Sequence, residues 1–172
     1  MKGSLKPPLG GDYRIFENVS PLKCSWDEAI NISARATPGR ESSVARRSEG
    51  KYSGRRQMDP NRKFNLIVVR GGSIPGHGLV EVWDFVKWGL ENKLLPATPI
   101  EILSAFRRPS DLALLSDTLV SVLAPGHKPM SNMRQEVFCL SRNHHGVQAQ
   151  HIKGAFLRKN SVNWAAFVER VR

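Results

Sequence analysis

The sequence predicts an α+β fold: a single domain with a mostly antiparallel sheet packed against two or three helices, a flexible N-terminus and a basic loop. Three observations lead there. Phe64-Asn65-Leu66-Ile67-Val68-Val69 is a short, β-branched apolar run of the kind that lies in a sheet with both faces covered. From Leu79 to Leu95, the positions Leu79, Val82, Trp83, Val86, Leu90 and Leu94 recur at steps of three and four, which places them on one face of a helix. Pro96 stops that helix, because a proline inside a helix removes a backbone hydrogen bond, and Pro99 to Phe106 restarts as an extended segment. The central unit thus reads strand, loop, helix, strand.

The remaining elements follow in chain order. Residues 1–11 are rich in Lys, Pro and Gly and form a flexible arm, and residues 12–172 form the domain. Tyr13 to Phe16 opens a strand. Ile30, Ile32, Ala34 and Ala36 alternate with Asn31, Ser33, Arg35 and Thr37, the period of a half-buried strand, although Asp27 and Glu28 can equally begin a short helix. Pro38-Gly39 ends it. Arg40 to Lys63 carries scarcely any apolar residue, so it cannot bury enough surface to offset the entropy of ordering, and it reads as a mobile basic loop. After Phe106, Arg107-Arg108-Pro109 makes a turn. Ser110 or Asp111 then caps a helix with Leu112, Leu115, Leu119 and Val122 on one face, with a strand over 119–123 as the other reading. Glu136 to Leu140 is a strand, Arg142 to Gly146 a turn, and Val147 to Leu157 a further strand. Ser161 caps a C-terminal helix with Trp164, Phe167, Val168 and Val171 on one side.

Charge is the most informative bulk property. Lys and Arg number 26 against 15 Asp and Glu, a formal net charge of +11. Such a surplus attracts polyanions: nucleic acid or ribonucleoprotein, an anionic membrane surface bound peripherally, or an acidic protein, and net charge alone does not choose among them. Much of it is concentrated in Arg40, Arg46, Arg47, Lys51, Arg55, Arg56, Arg62 and Lys63, set against only Glu41, Glu49 and Asp59 over the same stretch. This segment is either a solvated linker or a phosphate-gripping strap, and such contacts give affinity without sequence specificity. Tyr52 is its one aromatic residue, too few for a dedicated single-strand binder. Two distant cysteines, Cys24 and Cys139, point to free thiols, and no run of 18 apolar residues or N-terminal apolar signal is present. The expectation is a protein inside a cell, soluble or peripheral to a membrane.

Four constellations bear on chemistry. The glycine loop Gly71 to Gly78 follows a strand and precedes a helix, but it has neither the Gly-Lys-Ser/Thr ending of a P-loop nor the spacing of a dinucleotide site, so it reads as a turn. Cys139, His144, His145 and His151 are potential metal ligands at a spacing that matches no zinc pattern, and adjacent histidines ordinarily lie on the surface. An HNH-like nuclease centre built from His144 or His145 with Asn160 and Asn163 lacks a nearby carboxylate. Trp83, Phe85 and Trp88, with Trp164 and Phe167 in the C-terminal segment, are core anchors or, where a second face stays apolar, contacts for another protein. No catalytic residue, metal or cofactor is assigned.

The stretch from Leu79 to Leu95, followed by Pro99-Ile100-Glu101-Ile102-Leu103-Ser104-Ala105-Phe106-Arg107-Arg108-Pro109-Ser110-Asp111-Leu112, resembles the central helix and following apolar strand of rhabdovirus matrix proteins. The chain departs from that family at Pro7-Pro8-Leu9-Gly10, which lacks the tyrosine of the PPxY late-domain motif, as a plant-infecting relative would. The resemblance implies a non-enzymatic virion protein that self-associates into homo-oligomers and bridges a nucleocapsid to an anionic membrane. A nucleic-acid-binding regulator and a small metal-dependent nuclease are the competing readings.

Overall fold

The computed structural model describes residues 12–33, 61–74, 79–80, 82–115, 120–124, 136–143, 146–153, 157–158 and 163–169. Their organising element is a strand close to the C-terminus, β9 (Asn163–Glu169), which lies in the middle of a seven-stranded sheet. One side of β9 pairs with β2 (Phe64–Arg70), which in turn pairs with β1 (Tyr13–Val19) at the sheet's edge. The other side is shared: β5 (Val120–Leu123) runs parallel to its first half and β4 (Leu94–Pro96) antiparallel to its second half. Beyond β5 lie β6 (Glu136–Asn143) and β7 (Gly146–Lys153), an antiparallel hairpin. Of these pairings only β5 with β9 is parallel, so the sheet is mostly antiparallel, as the sequence predicts. β3 (Leu79–Val80) and β8 (Leu157–Arg158) form a separate two-stranded ladder.

Among the described residues, three helices cover the sheet on both faces. On one face α1 (Trp26–Ser33) and α3 (Pro99–Ala105) pack over Leu66, Val68, Ala166, Val168, Phe138 and Leu140. On the other, α2 (Val82–Glu91) sets Phe85 and Trp88 against Ile67, Val69, Ala165 and Phe167. Residues of opposite parity along β2 and β9 therefore serve opposite cores, which is why both strands read as unbroken apolar runs.

Several expectations are corrected. The segment from Trp164 to Val168 is a strand, not a C-terminal helix. An apolar run of five fits either period, and the hydrogen-bonding partners available on both sides decide for strand. Pro99 to Ala105 is a helix, not an extended segment. Thr98 and Glu101 close a capping box in which the Glu101 carboxylate accepts the Thr98 backbone N–H at 2.8 Å and the Thr98 hydroxyl at 3.0 Å. Pro99, in the first turn, loses nothing, since its N–H would have no intrahelical partner there. Of the two readings the sequence leaves open near Asp27 and Glu28, the helix is the one formed, Trp26 to Ser33, in place of the strand. Its Ser25–Glu28 box, with the carboxylate 2.9 Å from the Ser25 backbone N and 2.8 Å from its Oγ, wins over the alternation of Ile30 and Ile32.

The central helix is shorter than its periodicity suggests. Leu79 and Val80 belong to β3, and the helix ends at Glu91, where Lys93 takes a left-handed backbone (φ 61) and turns the chain into β4. The helix expected from Leu112 to Val122 is a 3-10 turn, Pro109–Leu114, with β5 after it. In that turn Asp111 sits in the third position and accepts the Arg108 backbone N–H at 3.0 Å, in place of serving as the cap itself. α2 comes very close to β9. A β-carbon on Gly89 would lie 2.7 Å from Cδ1 of Phe167, so only glycine permits this approach.

Candidate functional site

The link from β1 to α1, residues 20–25, is tied to the rest of the molecule by polar contacts from three directions. Ser104, in the last turn of α3, uses its Oγ to accept the Leu22 backbone N–H at 3.0 Å and to donate to the Ile100 carbonyl at 2.7 Å. Arg107 follows that helix and donates Nε–H to the Ser104 carbonyl at 3.0 Å and an Nη2–H to the Ser20 carbonyl. Such a bond satisfies one of the carbonyls a helix end leaves open. On the far side of the link, Lys23 Nζ donates to the Asn61 side chain at 2.9 Å, next to Arg62 and Lys63, both exposed at the entry to β2.

The link thus contacts Asn61, next to Arg62 and Lys63, through Lys23 and contacts Arg107, next to Arg108, through Ser20. Between the ends of β1 and α3 lies an open pocket of about 480 Å³, lined by Ser20, Ser104, Arg107, Arg108 and Asp111 over an apolar floor of Val19 and Ala105. Arg108 is paired through Nε with Asp111 at 3.2 Å, yet its side chain is 79% exposed against 13% for the carboxylate. Two titrating neighbours show the local field. Burial pushes the Cys24 thiol above its ordinary pKa, Glu28 adds to that, and Arg107 opposes it. The Ser25 backbone N–H and hydroxyl hold the Glu28 carboxyl below the usual range. Chemically the surface offers cationic donors around a shallow recess, a setting for binding anions.

Of the residues singled out from the sequence, Arg62 and Lys63 are exposed at this surface, while Arg40, Arg46, Arg47, Lys51, Arg55 and Arg56 lie outside the described residues. Phe85, Trp88, Trp164 and Phe167 do not form a protein-contact face. All four are buried in the chain's own core, with the Trp88 and Phe167 rings packed at a tilt, 5.4 Å between ring centres. The Trp83 side chain lies outside the described residues. Cys139 is fully buried on β6 and is packed among apolar side chains. His151 occupies the β7 position opposite Phe138, one step out of register with Cys139, and His144, His145 and Asn160 lie outside the described residues. Among the described residues no three His, Cys, Asp or Glu side chains converge as metal ligands. Nor is any described helix long and apolar enough to cross a membrane. In the glycine loop, Gly71–Ser73 is a 3-10 turn whose Ser73 Oγ accepts the Asp12 backbone N–H at 3.0 Å, and residues 75–78 lie outside the described residues.

The sequence reading took Arg107-Arg108-Pro109 only as a turn. The legible signal was a pair of arginines directly after an apolar segment, where they can reach the carbonyls of a helix end. No family model, curated protein or solved structure matches the chain.

Proposed function

We propose that the chain is a non-enzymatic assembly protein of the matrix type, which self-associates and uses its basic surface to bridge a ribonucleoprotein to an anionic membrane. The observation that carries this reading is that residues 20–25 bring Lys23 to Asn61, beside Arg62 and Lys63 at the end of the basic Arg40–Lys63 segment, and Arg107, beside Arg108, to Ser20, in a chain of net charge +11. Phosphate contacts of this type give affinity that falls steeply with salt and carries no base specificity.

The test replaces Arg46, Arg47, Arg55 and Arg56 together by Gln. Binding of RNA and of anionic vesicles is then followed across a salt series, with light scattering to report mass. The reading requires both affinities to fall by roughly tenfold or more and the salt slope to flatten, since each lost phosphate contact lowers the slope by about 1. Unchanged binding to both ligands defeats it. A protein that binds RNA steeply but stays monomeric and ignores vesicles is a nucleic-acid-binding regulator instead.

A further inference from the structure

We propose that Ser20 is a phosphorylation site for a proline-directed protein kinase, and that Arg107 and Arg108 receive its phosphate and are thereby withdrawn from other anions. The regulatory half rests on the polyanion-binding reading; the modification itself does not. Ser20-Pro21-Leu22-Lys23 sets a hydroxyl directly before a proline, with a cation two places beyond the proline. A proline there has no N–H to leave unsatisfied in a kinase cleft, and the cation is a charge such a cleft can read. The sequence holds two other hydroxyl-proline pairs. Thr98-Pro99 is followed by Glu101 where a cation is wanted, and the Thr98 hydroxyl is engaged with that carboxylate at 3.0 Å. Thr37-Pro38-Gly39-Arg40 matches the pattern and lies outside the described residues.

Ser20 is accessible to such an enzyme. It is exposed, and among the described residues its hydroxyl has no hydrogen-bond partner. Among the described residues, no backbone-to-backbone hydrogen bond ties residues 20–23. They are held by the Leu22 N–H on Ser104 Oγ, by Arg107 on the Ser20 carbonyl and by Lys23 on the Asn61 side chain. Few and exposed ties of this kind open locally at low cost, so the link can enter a cleft while β1 and α1 stay folded. In the transfer, Ser20 Oγ attacks the γ-phosphorus of ATP. The Oγ–P bond forms as the bond from that phosphorus to the bridging oxygen breaks, ADP leaves, and the hydroxyl proton passes to the kinase's base.

The product meets a receiver already in place. Ser20 lines the same recess as Arg107 and Arg108, and Arg107 donates an Nη2–H to Ser20's own carbonyl, so this guanidinium lies beside the residue that takes the phosphate. The two acceptors of Arg107, the Ser104 and Ser20 carbonyls, are uncharged and orient it without neutralising it. Arg108 gives its Nε–H to Asp111, and among the described residues its Nη groups have no partner. Guanidinium forks match phosphate oxygens, and a phosphoserine set against an arginine cluster forms about one to three charge-assisted hydrogen bonds. Its charge of about −1.5 to −2 at neutral pH exceeds the surplus of two guanidinium groups over the one carboxylate lining the recess. The recess turns from cationic to anionic, and a tethered phosphate holds the groups that a nucleic acid or a lipid would use.

The experiment treats the full chain carrying Thr37→Ala, so that Ser20 alone meets the pattern, with a cyclin-dependent kinase and ATP. Intact mass counts the phosphates and tandem mass spectrometry places them. The expected result is one phosphate, on Ser20, and none once Ser20→Ala is added. Phosphorylation should raise the unfolding midpoint by about 2–4 °C at low salt. Adding Arg108→Gln should remove much of that gain, whereas Lys87→Gln, at an exposed lysine on α2 across the sheet, should keep all of it. The salt slope of poly(U) binding should fall by about 1–2, the loss of two phosphate contacts. No phosphate on Ser20 overturns the inference, and so does a midpoint gain that is absent or that Arg108→Gln leaves whole. An unchanged salt slope overturns the withdrawal of the arginines. A chain that ignores both poly(U) and anionic vesicles before treatment overturns the polyanion reading and the regulatory half with it, while mass and midpoint still decide the modification.

Discussion

Substituting Gly89 by alanine tests the packing on which the central strand depends. Helix propensity alone predicts stabilisation, since alanine is better than glycine in a helix interior by about 1 kcal/mol. The tertiary structure predicts the reverse. The new methyl group would meet Cε1 and lie 2.7 Å from Cδ1 of Phe167, well inside van der Waals contact. That ring cannot swing clear, because it is fully buried, packed against the tilted Trp88 ring and carried by a strand paired on both sides. Overpacking a close-packed core costs about 1–3 kcal/mol. Less the helix gain, the net destabilisation is at most about 2 kcal/mol. For a domain of this size that lowers the unfolding midpoint by up to about 8 °C. Urea unfolding followed by tryptophan fluorescence should show a lower midpoint at unchanged slope. In a Phe167→Leu background, where the ring edge is gone, Gly89→Ala should become neutral or stabilising, a coupling of roughly 1–3 kcal/mol. A Gly89→Ala protein more stable than the wild type would refute the argument, and so would the same effect in both backgrounds.

Two further outcomes concern the link between β1 and α1. The Glu28 carboxyl titrates below its unfolded value because Ser25 donates to its charged form. Its contribution is therefore present above about pH 4.3 and is lost as pH falls through the lower folded value. Glu28→Gln should flatten the acid side of a plot of melting temperature against pH and leave a wild-type acid slope only if this account is wrong. The thiols should separate kinetically: Cys24, half-buried with its pKa raised, should react with a disulfide reagent more slowly than a free thiol at neutral pH. Cys139, sealed in the core, should react only at the rate of unfolding. Equal, fast labelling of both would contradict the burial.

Some of this protein could be read from local chemistry alone. β2 was legible because four apolar residues in a row, Leu66 to Val69, need a covered sheet, and the β6–β7 hairpin because turn residues separate two strand-forming runs. The capping boxes Ser25–Glu28 and Thr98–Glu101 were equally local signals. Hydrophobic alternation in one case and a helix-stopping reading of proline in the other obscured them. The basic character of the surface is written in the composition, since charge needs no fold to be counted. Only the tertiary structure could decide that Trp164 to Val168 is a strand, because the same residues satisfy helical spacing until β2, β4 and β5 offer hydrogen bonds on either side. It alone could bring Arg107 to Ser20, 87 residues away, to wall a recess. Periodicity and capping act within a few residues, whereas strand pairing and the placing of a guanidinium depend on partners the chain meets only once it is packed.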